Sequence, residues 1–367
     1  MKFAITKDQP DTARDRYVHS IVDEFLCHGH EISSERNGIN FLLNVTTPET
    51  LKAGRRRSQS VFVISLVVAD RRPEDLRAFC YSALIKTLSN LMICIFPGNG
   101  ADGPLTDSTE VYFTTPEAGF YRLPFNPEEI YEHILPIAGA HYAIQNEFSP
   151  DLPPSFWRPT SVVKSIAHFG KELDSLGVLP TPFPLSKLLS EDDLHHLYKI
   201  YGITGLSYGN LSAREHIPEL GETTFWMTGR GINKADISRV GKDVLLVKGF
   251  NYDRGVALVS MPTEYDQTAR VSVDAVEHEL IYRTFPRVGA IVHVHAWMRG
   301  VKCTKQNYPC GTKELAEEVV GLLDETENPA RTVVGLKNHG LTITGPTLDE
   351  IFDRIRGQLL REVPMFE

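Results

Sequence analysis

The sequence lacks any apolar run of the ~18 residues needed to span a bilayer, and its longest greasy stretch, 60–69, reads as one buried strand. It lacks a leader-like start as well. Residues 1–17 are charged and contain no apolar h-region, so no signal peptide is expected. Cysteine is scarce: Cys27, Cys80, Cys94, Cys303 and Cys310 are odd in number, and no Cys-x-x-Cys pair occurs. A disulfide framework is thereby excluded, and reduced thiols in a cytoplasmic protein are the expectation. Positive charge is in deficit. A formal net charge of −9 argues against a nucleic-acid partner, since phosphate neutralisation needs a basic surface. The basic run Arg55-Arg56-Arg57 lies in a polar stretch and reads as a solvated loop. Internal repeats and low-complexity tracts are also missing. What is present, 42% apolar and 23% charged residues over 367 positions, is a globular balance on a chain long enough for two domains.

Hydrophobic spacing organises the chain as α/β. Helical periodicity covers 17–27, and β-branched and aromatic runs at 39–45 and 61–68 predict strands. A helix is expected over 74–92, running into the apolar segment 93–96, then a loop at Pro97-Gly98-Asn99-Gly100. A strand at 111–114 and a helix over 127–145 complete a small α/β domain, 1–148, whose role the sequence does not specify. The proline-rich segment 149–160 reads as a linker. The larger domain, 161–367, shows helical patterns at 162–176, 190–201, 274–284 and 312–323, strands at 290–295 and 332–337, and a last helix from near Thr347. A single central sheet covered by helices accounts for this alternation.

The segment Gly289-Ala-Ile-Val-His293-Val-His295 carries the most chemistry. Residues i and i+2 of a strand share a face, so both imidazoles project together, a placement that suits a divalent transition metal. Paired histidines also occur on ordinary wet sheet faces. A second apolar strand ends in Asn338-His339-Gly340, and His339 could complete a three-imidazole site with open positions. Asp274 opens the helix that leads to the His293 strand, on which Glu277, His278 and Glu279 also lie. A carboxylate there is either a general acid/base or metal ligand, or simply a helix N-cap. Two glycine-bearing turns, Tyr208-Gly209-Asn210-Leu211-Ser212 and Thr228-Gly229-Arg230-Gly231, could cradle an anion with backbone N–H groups.

In order and content these motifs resemble the class II aldolase/adducin family. Gly209-Asn-Leu-Ser-Ala-Arg214, Thr228-Gly-Arg-Gly231, Asp274 to Tyr282, His293-Val-His295, Gly311-Thr-Lys-Glu-Leu-Ala316 and Asn338-His-Gly340 carry the likeness, from about residue 160 onward. It implies a class II aldolase-like α/β/α domain with a central β-sheet, preceded by the smaller α/β domain. It implies that His293, His295 and His339 hold a divalent metal, zinc first, with manganese, cobalt or iron as alternatives. The family's catalytic acid stands nineteen positions before the first ligand histidine, which selects Asp274. The family's small-molecule pocket maps onto Gly209, Asn210, Arg230, Gly231 and Ser272. Val273 departs from a Ser-Ser pair and Arg230 from a small hydroxyl, which keeps an anionic substrate but not specifically a sugar phosphate. Tyr308 is a candidate proton donor, and its plainer role is a packed turn residue before Pro309.

The expected function is therefore a lyase or epimerase of aldol/retro-aldol type, in a homo-oligomer, acting on a small anionic hydroxy-carbonyl substrate with no membrane or nucleic-acid partner. A metal-dependent decarboxylase and a non-catalytic adducin-like scaffold are the alternatives.

Overall fold

The computed structural model describes residues 1–7, 14–35, 37–54, 61–98, 108–117, 119–179, 191, 194 and 208–366. These fall into two compact units, one over 1–139 (with 191, 194, 365 and 366) and one over 140–179 and 208–364.

The first unit contains β1 (Lys2–Lys7), α1 (Asp15–Cys27), β2 (Glu31–Ile32), β3 (Phe41–Thr46), β4 (Phe62–Val68), α2 (Leu76–Lys86), β5 (Leu91–Phe96), β6 (Glu110–Thr114), β7 (Phe120–Pro124) and α3 (Pro127–Ala138). Its sheet runs β2-β1-β3-β4-β5-β6-β7, parallel through β5 and antiparallel at β6 and β7. Strands β4 and β5 are buried along their whole length, which is why they read as continuous apolar runs and not as alternation. The helix expected over 74–92 is shorter. Asp75 caps its start, and Leu88, at φ +54°, reverses the chain after Lys86. Residues 91–96 then pair beside β4, a tertiary preference that overrides the helical spacing.

The second unit contains β8 (Gln145–Ser149), α4 (Ser161–Ser175), β9 (Asn210–Arg214), β10 (Phe225–Thr228), β11 (Val244–Asn251), β12 (Val256–Ser260), α5 (Ala275–Thr284), β13 (Ala290–Val294), β14 (Lys302–Cys303), α6 (Lys313–Asp324), β15 (Val333–Leu336), β16 (Gly340–Gly345) and α7 (Leu348–Ile355). Its sheet has the order β14-β15-β16-β13-β9-β10-β11-β12-β8. Residues 140–149, expected to end a helix of the first domain, belong here: α3 stops at Ala138, and β8 pairs parallel with β12. The proline-rich segment lies within this unit too. It is tied down by the Leu152 N–H donating to the Met261 carbonyl and by Trp157 Nε1 donating to the Leu152 carbonyl. The helix expected over 190–201 lies outside the described residues, apart from positions 191 and 194. Among the described residues, no helix is long and apolar enough to cross a membrane.

Alternate residues of these strands feed two cores. Trp226, Leu246, Val292 and Ile343 pack with Phe169 of α4 and Phe352 of α7. Met227, Leu245, Ile291 and Leu336 pack with Ile281 of α5 and Leu315 of α6. At the centre of the α5 side the apolar pattern is interrupted. Asn210, Ser212, His293 and Thr342 are all buried there, and burying four polar side chains is costly unless each has a partner.

Candidate metal centre

Three of those residues, Asn210, His293 and Thr342, form one row across three strands. His293 on β13 lies opposite Asn210 on β9 and opposite Thr342 on β16, so all three point to the same face. The first turn of α5 covers them. Asn210 Nδ2 donates to Asp274 Oδ2 at 2.6 Å, Thr342 Oγ1 donates to Glu277 Oε1 at 2.6 Å, and Ser212 Oγ bonds His278 Nδ1 at 2.7 Å.

Two tight turns bring the remaining imidazoles to His293. His295 lies one residue beyond β13. His339 sits in the short turn between β15 and β16, where Asn338 takes φ +57° and the His339 N–H donates to the Leu336 carbonyl. Gly340 and Gly209 permit this closeness, because a Cβ on either would collide with a backbone carbonyl, that of Val294 or of His293. The ring centroids of His293, His295 and His339 lie 4.7–5.1 Å apart. The Nε2 atoms of His295 and His339 are 3.1 Å apart, and one ligand atom from each of the three rings falls within 4.8 Å of the others.

Protonation favours a metal over a proton. His293 Nδ1 sits 3.0 Å from the Leu341 carbonyl oxygen and must carry the hydrogen, which leaves Nε2 as a buried lone pair with no partner among the described residues. Burial lowers the pKa of His293, against an opposing pull from Asp274. Burial and then His293 push His339 well below the ordinary histidine range. Neutral imidazoles are the form that ligates. Three imidazoles, one of them with this orphaned nitrogen, fit a divalent ion of the zinc type.

Beside the histidines lies a charged pocket. Asp274 is 5% exposed, and although it stands at the N-cap of α5 its side chain makes no capping bond. The carboxylate is turned to Asn210, and its Oδ1 is buried without a partner. The plain N-cap reading therefore fails. Burial pushes the Glu277 carboxyl up to about 8, with the Asp274 charge adding to the effect. The Lys234 ammonium, 2% exposed, is pushed down to about 7 by burial, with Asp274 opposing. Arg230 donates through Nη2 to the Ile144 carbonyl at 3.1 Å, while its buried Nε has no partner.

Residues 193–298 match the family model described as Class II Aldolase and Adducin N-terminal domain. That match spans 106 of the 367 residues and places segment 193–298 alone in the family's likeness. Among solved structures it is similar to an L-fuculose 1-phosphate aldolase, at 18% identity over 54% of this chain and 82% of that one, TM-score 0.36. It is also similar to an aldolase II superfamily protein from Pseudomonas syringae, at 15% identity over 56% of this chain and 73% of that one, TM-score 0.36. No curated protein matches.

Of the residues singled out from sequence, the second unit brings His293, His295 and His339 into one cluster and sets Asn210 and Asp274 beside it. Gly209 and Gly231 adopt φ of +72° and +66° in their turns. Ser272 joins the Arg230 loop through its N–H, which donates to the Thr228 carbonyl. Tyr308 is half-buried against the core that holds Leu315, with its hydroxyl pKa raised by burial and by Glu318. Sequence reasoning passed over Lys234 and Thr342, which read as surface residues by type, and it named Glu277 only to set it aside in favour of Asp274. It also passed over Tyr208, whose ring stacks on His295 at 4.2 Å, and Cys310, whose Sγ lies 3.3 Å from His339 Nε2.

Proposed function

We propose that this chain is a metal-dependent lyase or epimerase of the aldol/retro-aldol type, acting on a small anionic hydroxy-carbonyl compound. The observation that carries the reading is the orphaned, buried His293 Nε2 facing two further imidazoles, with the unpartnered Asp274 Oδ1 alongside. His293, His295 and His339 would hold the ion, zinc being the first choice for three neutral imidazoles. When bound, it supplies Lewis acidity that stabilises the enediolate charge of the substrate.

The remaining work falls to the protein. Asn210 holds Asp274 by one carboxylate oxygen, so Oδ1 is the atom that takes a proton from the carbon next to the substrate carbonyl and later returns it. Glu277 keeps its proton at neutral pH and adds no second negative charge beside that base. Arg230 binds the anionic end through its guanidinium, with the Gly209, Gly231 and Ser272 backbone shaping the turns around it. Tyr308 is kept as a proton donor to the leaving group, tested by Tyr308→Phe. A homo-oligomer is proposed from the family likeness and is read by light scattering.

Hydrogen–deuterium exchange at the substrate α-carbon, followed by NMR on a panel of phosphorylated and carboxylated hydroxyketones, tests the proposal. The metal-loaded wild type exchanges at least one panel member, and Asp274→Asn slows that exchange by roughly 10²–10⁴-fold while retaining metal. Exchange at an equal rate in Asp274→Asn, or in protein stripped of metal, contradicts it.

A further inference from the structure

We propose that Cys310 is a further protein ligand of the same centre in its substrate-free state, its thiolate joining His293, His295 and His339, with the shell expanding to five when a substrate oxygen binds. The inference rests on the metal-centre reading above. Cys310 Sγ is 3.3 Å from His339 Nε2, which is itself 3.1 Å from His295 Nε2. Nitrogen and sulfur donors about 2.1 and 2.3 Å from one tetrahedral ion lie roughly 3.6 Å apart, and two such nitrogens roughly 3.4 Å apart. Both observed separations fall within a few tenths of an ångström of those spacings. The independent sign that a ligand belongs here is His293 Nε2, a nitrogen of a side chain only 2% exposed, which has no partner among the described residues and whose ring lies 4.7 Å from that of His339.

The thiol is held in place by its own loop. Gly311 adopts φ +74°, and a Cβ there would collide with Ile144 Cγ2 and lie 3.0 Å from the Val273 carbonyl oxygen. The Gly311 carbonyl accepts from the Ala143 N–H at 2.7 Å, and Thr312 Oγ1 donates to the Pro309 carbonyl at 2.8 Å. The backbone on either side of Cys310 is thus pinned, which fixes the position of its Cβ beside His339. The alternative is a thiol that merely hydrogen-bonds His339. The two differ in one respect: on coordination the S–H bond breaks, its proton passes to solvent, and the sulfur lone pair bonds the ion with no change of oxidation state.

Cobalt(II) replaces zinc with similar geometry and reports a coordinated thiolate by a sulfur-to-metal charge-transfer band in the near ultraviolet. The chelated full chain, reloaded with one equivalent of cobalt, is compared with Cys310→Ser and with Cys303→Ser as control. The band is expected in the wild type and in Cys303→Ser, and lost in Cys310→Ser while the visible d–d bands and the cobalt content persist. An X-ray absorption spectrum of the zinc-loaded wild type, which needs no variant, is expected to show one sulfur at about 2.3 Å. A shell of nitrogen and oxygen only, or identical near-ultraviolet spectra for wild type and Cys310→Ser at equal cobalt content, overturns the proposal and leaves the three-histidine centre standing. Absence of any d–d band in the wild type overturns both.

Discussion

Replacing Glu277 with glutamine should make the second unit's stability less dependent on pH, in a direction the structure dictates. Glu277 is 3% exposed, and burial, then the Asp274 charge, raise its carboxyl from 4.5 to about 8, with the Thr342 hydroxyl opposing. Between those two values the folded chain keeps a proton that the unfolded chain releases, so stability is full below 4.5 and is lost as pH rises through about 8. Each pH unit inside the window costs about 1.4 kcal/mol, so wild type loses on the order of 3 kcal/mol between pH 5 and pH 7 through this group. Lys234 works in the opposite sense. Its folded value of about 7 lies below the ordinary 10.5, so its contribution grows with pH above that window, and the buried histidines, also lowered, cancel in the difference between variant and wild type. Urea unfolding of the chelated protein, followed by tryptophan fluorescence, is the assay. The three tryptophans, Trp157, Trp226 and Trp297, all lie in the second unit. The stability of Glu277→Gln relative to wild type is expected to climb by about 2–3 kcal/mol from pH 5 to pH 7. A difference that stays flat across that range refutes the reasoning.

Other perturbations follow from the same geometry. Arg230→Met removes a charge-assisted contact to the substrate's anionic end and should lower kcat/KM by roughly 10–100-fold, mostly through KM, in steady-state kinetics on whichever compound exchanges its α-proton. Gly340→Ala drives a Cβ into the Val294 carbonyl; about 1–3 kcal/mol of stability is lost, and metal affinity falls with it because the β16 turn carries His339. Thermal unfolding and metal titration read both effects, and an unshifted Tm refutes the close-approach argument.

How much of this was legible beforehand varies with the kind of residue. The His293-Val-His295 alternation projects two imidazoles from any strand, and the Asn338-His-Gly340 turn marks itself by its left-handed asparagine and its glycine. The cluster of three histidines was therefore readable from spacing and family likeness. Strand β16 was not anticipated, because Gly340-Leu-Thr-Ile-Thr-Gly345 hides a fully buried strand behind threonines and glycines. The length of the 74–92 helix was overestimated because its apolar spacing runs on into residues that sheet pairing claims. An N-cap aspartate and a catalytic one look alike in one sequence; the structure shows that the Asp274 side chain makes no capping bond and accepts from Asn210 instead. Glu277 was set aside for Asp274 on spacing, and Cys310 was read only as one of five reduced thiols; their pairing with Thr342 and His339 is visible only in three dimensions.

The most direct test of the central claim is the metal content of the purified full chain beside that of His293→Ala, by elemental analysis after exhaustive dialysis and reloading. About one divalent ion per chain in the wild type, with loss of most of it in the variant, is the predicted result, because removal of one imidazole breaks a three-nitrogen site. Wild-type protein that retains no zinc, manganese, cobalt or iron after reloading, or a His293→Ala variant that binds as much as wild type, contradicts the account.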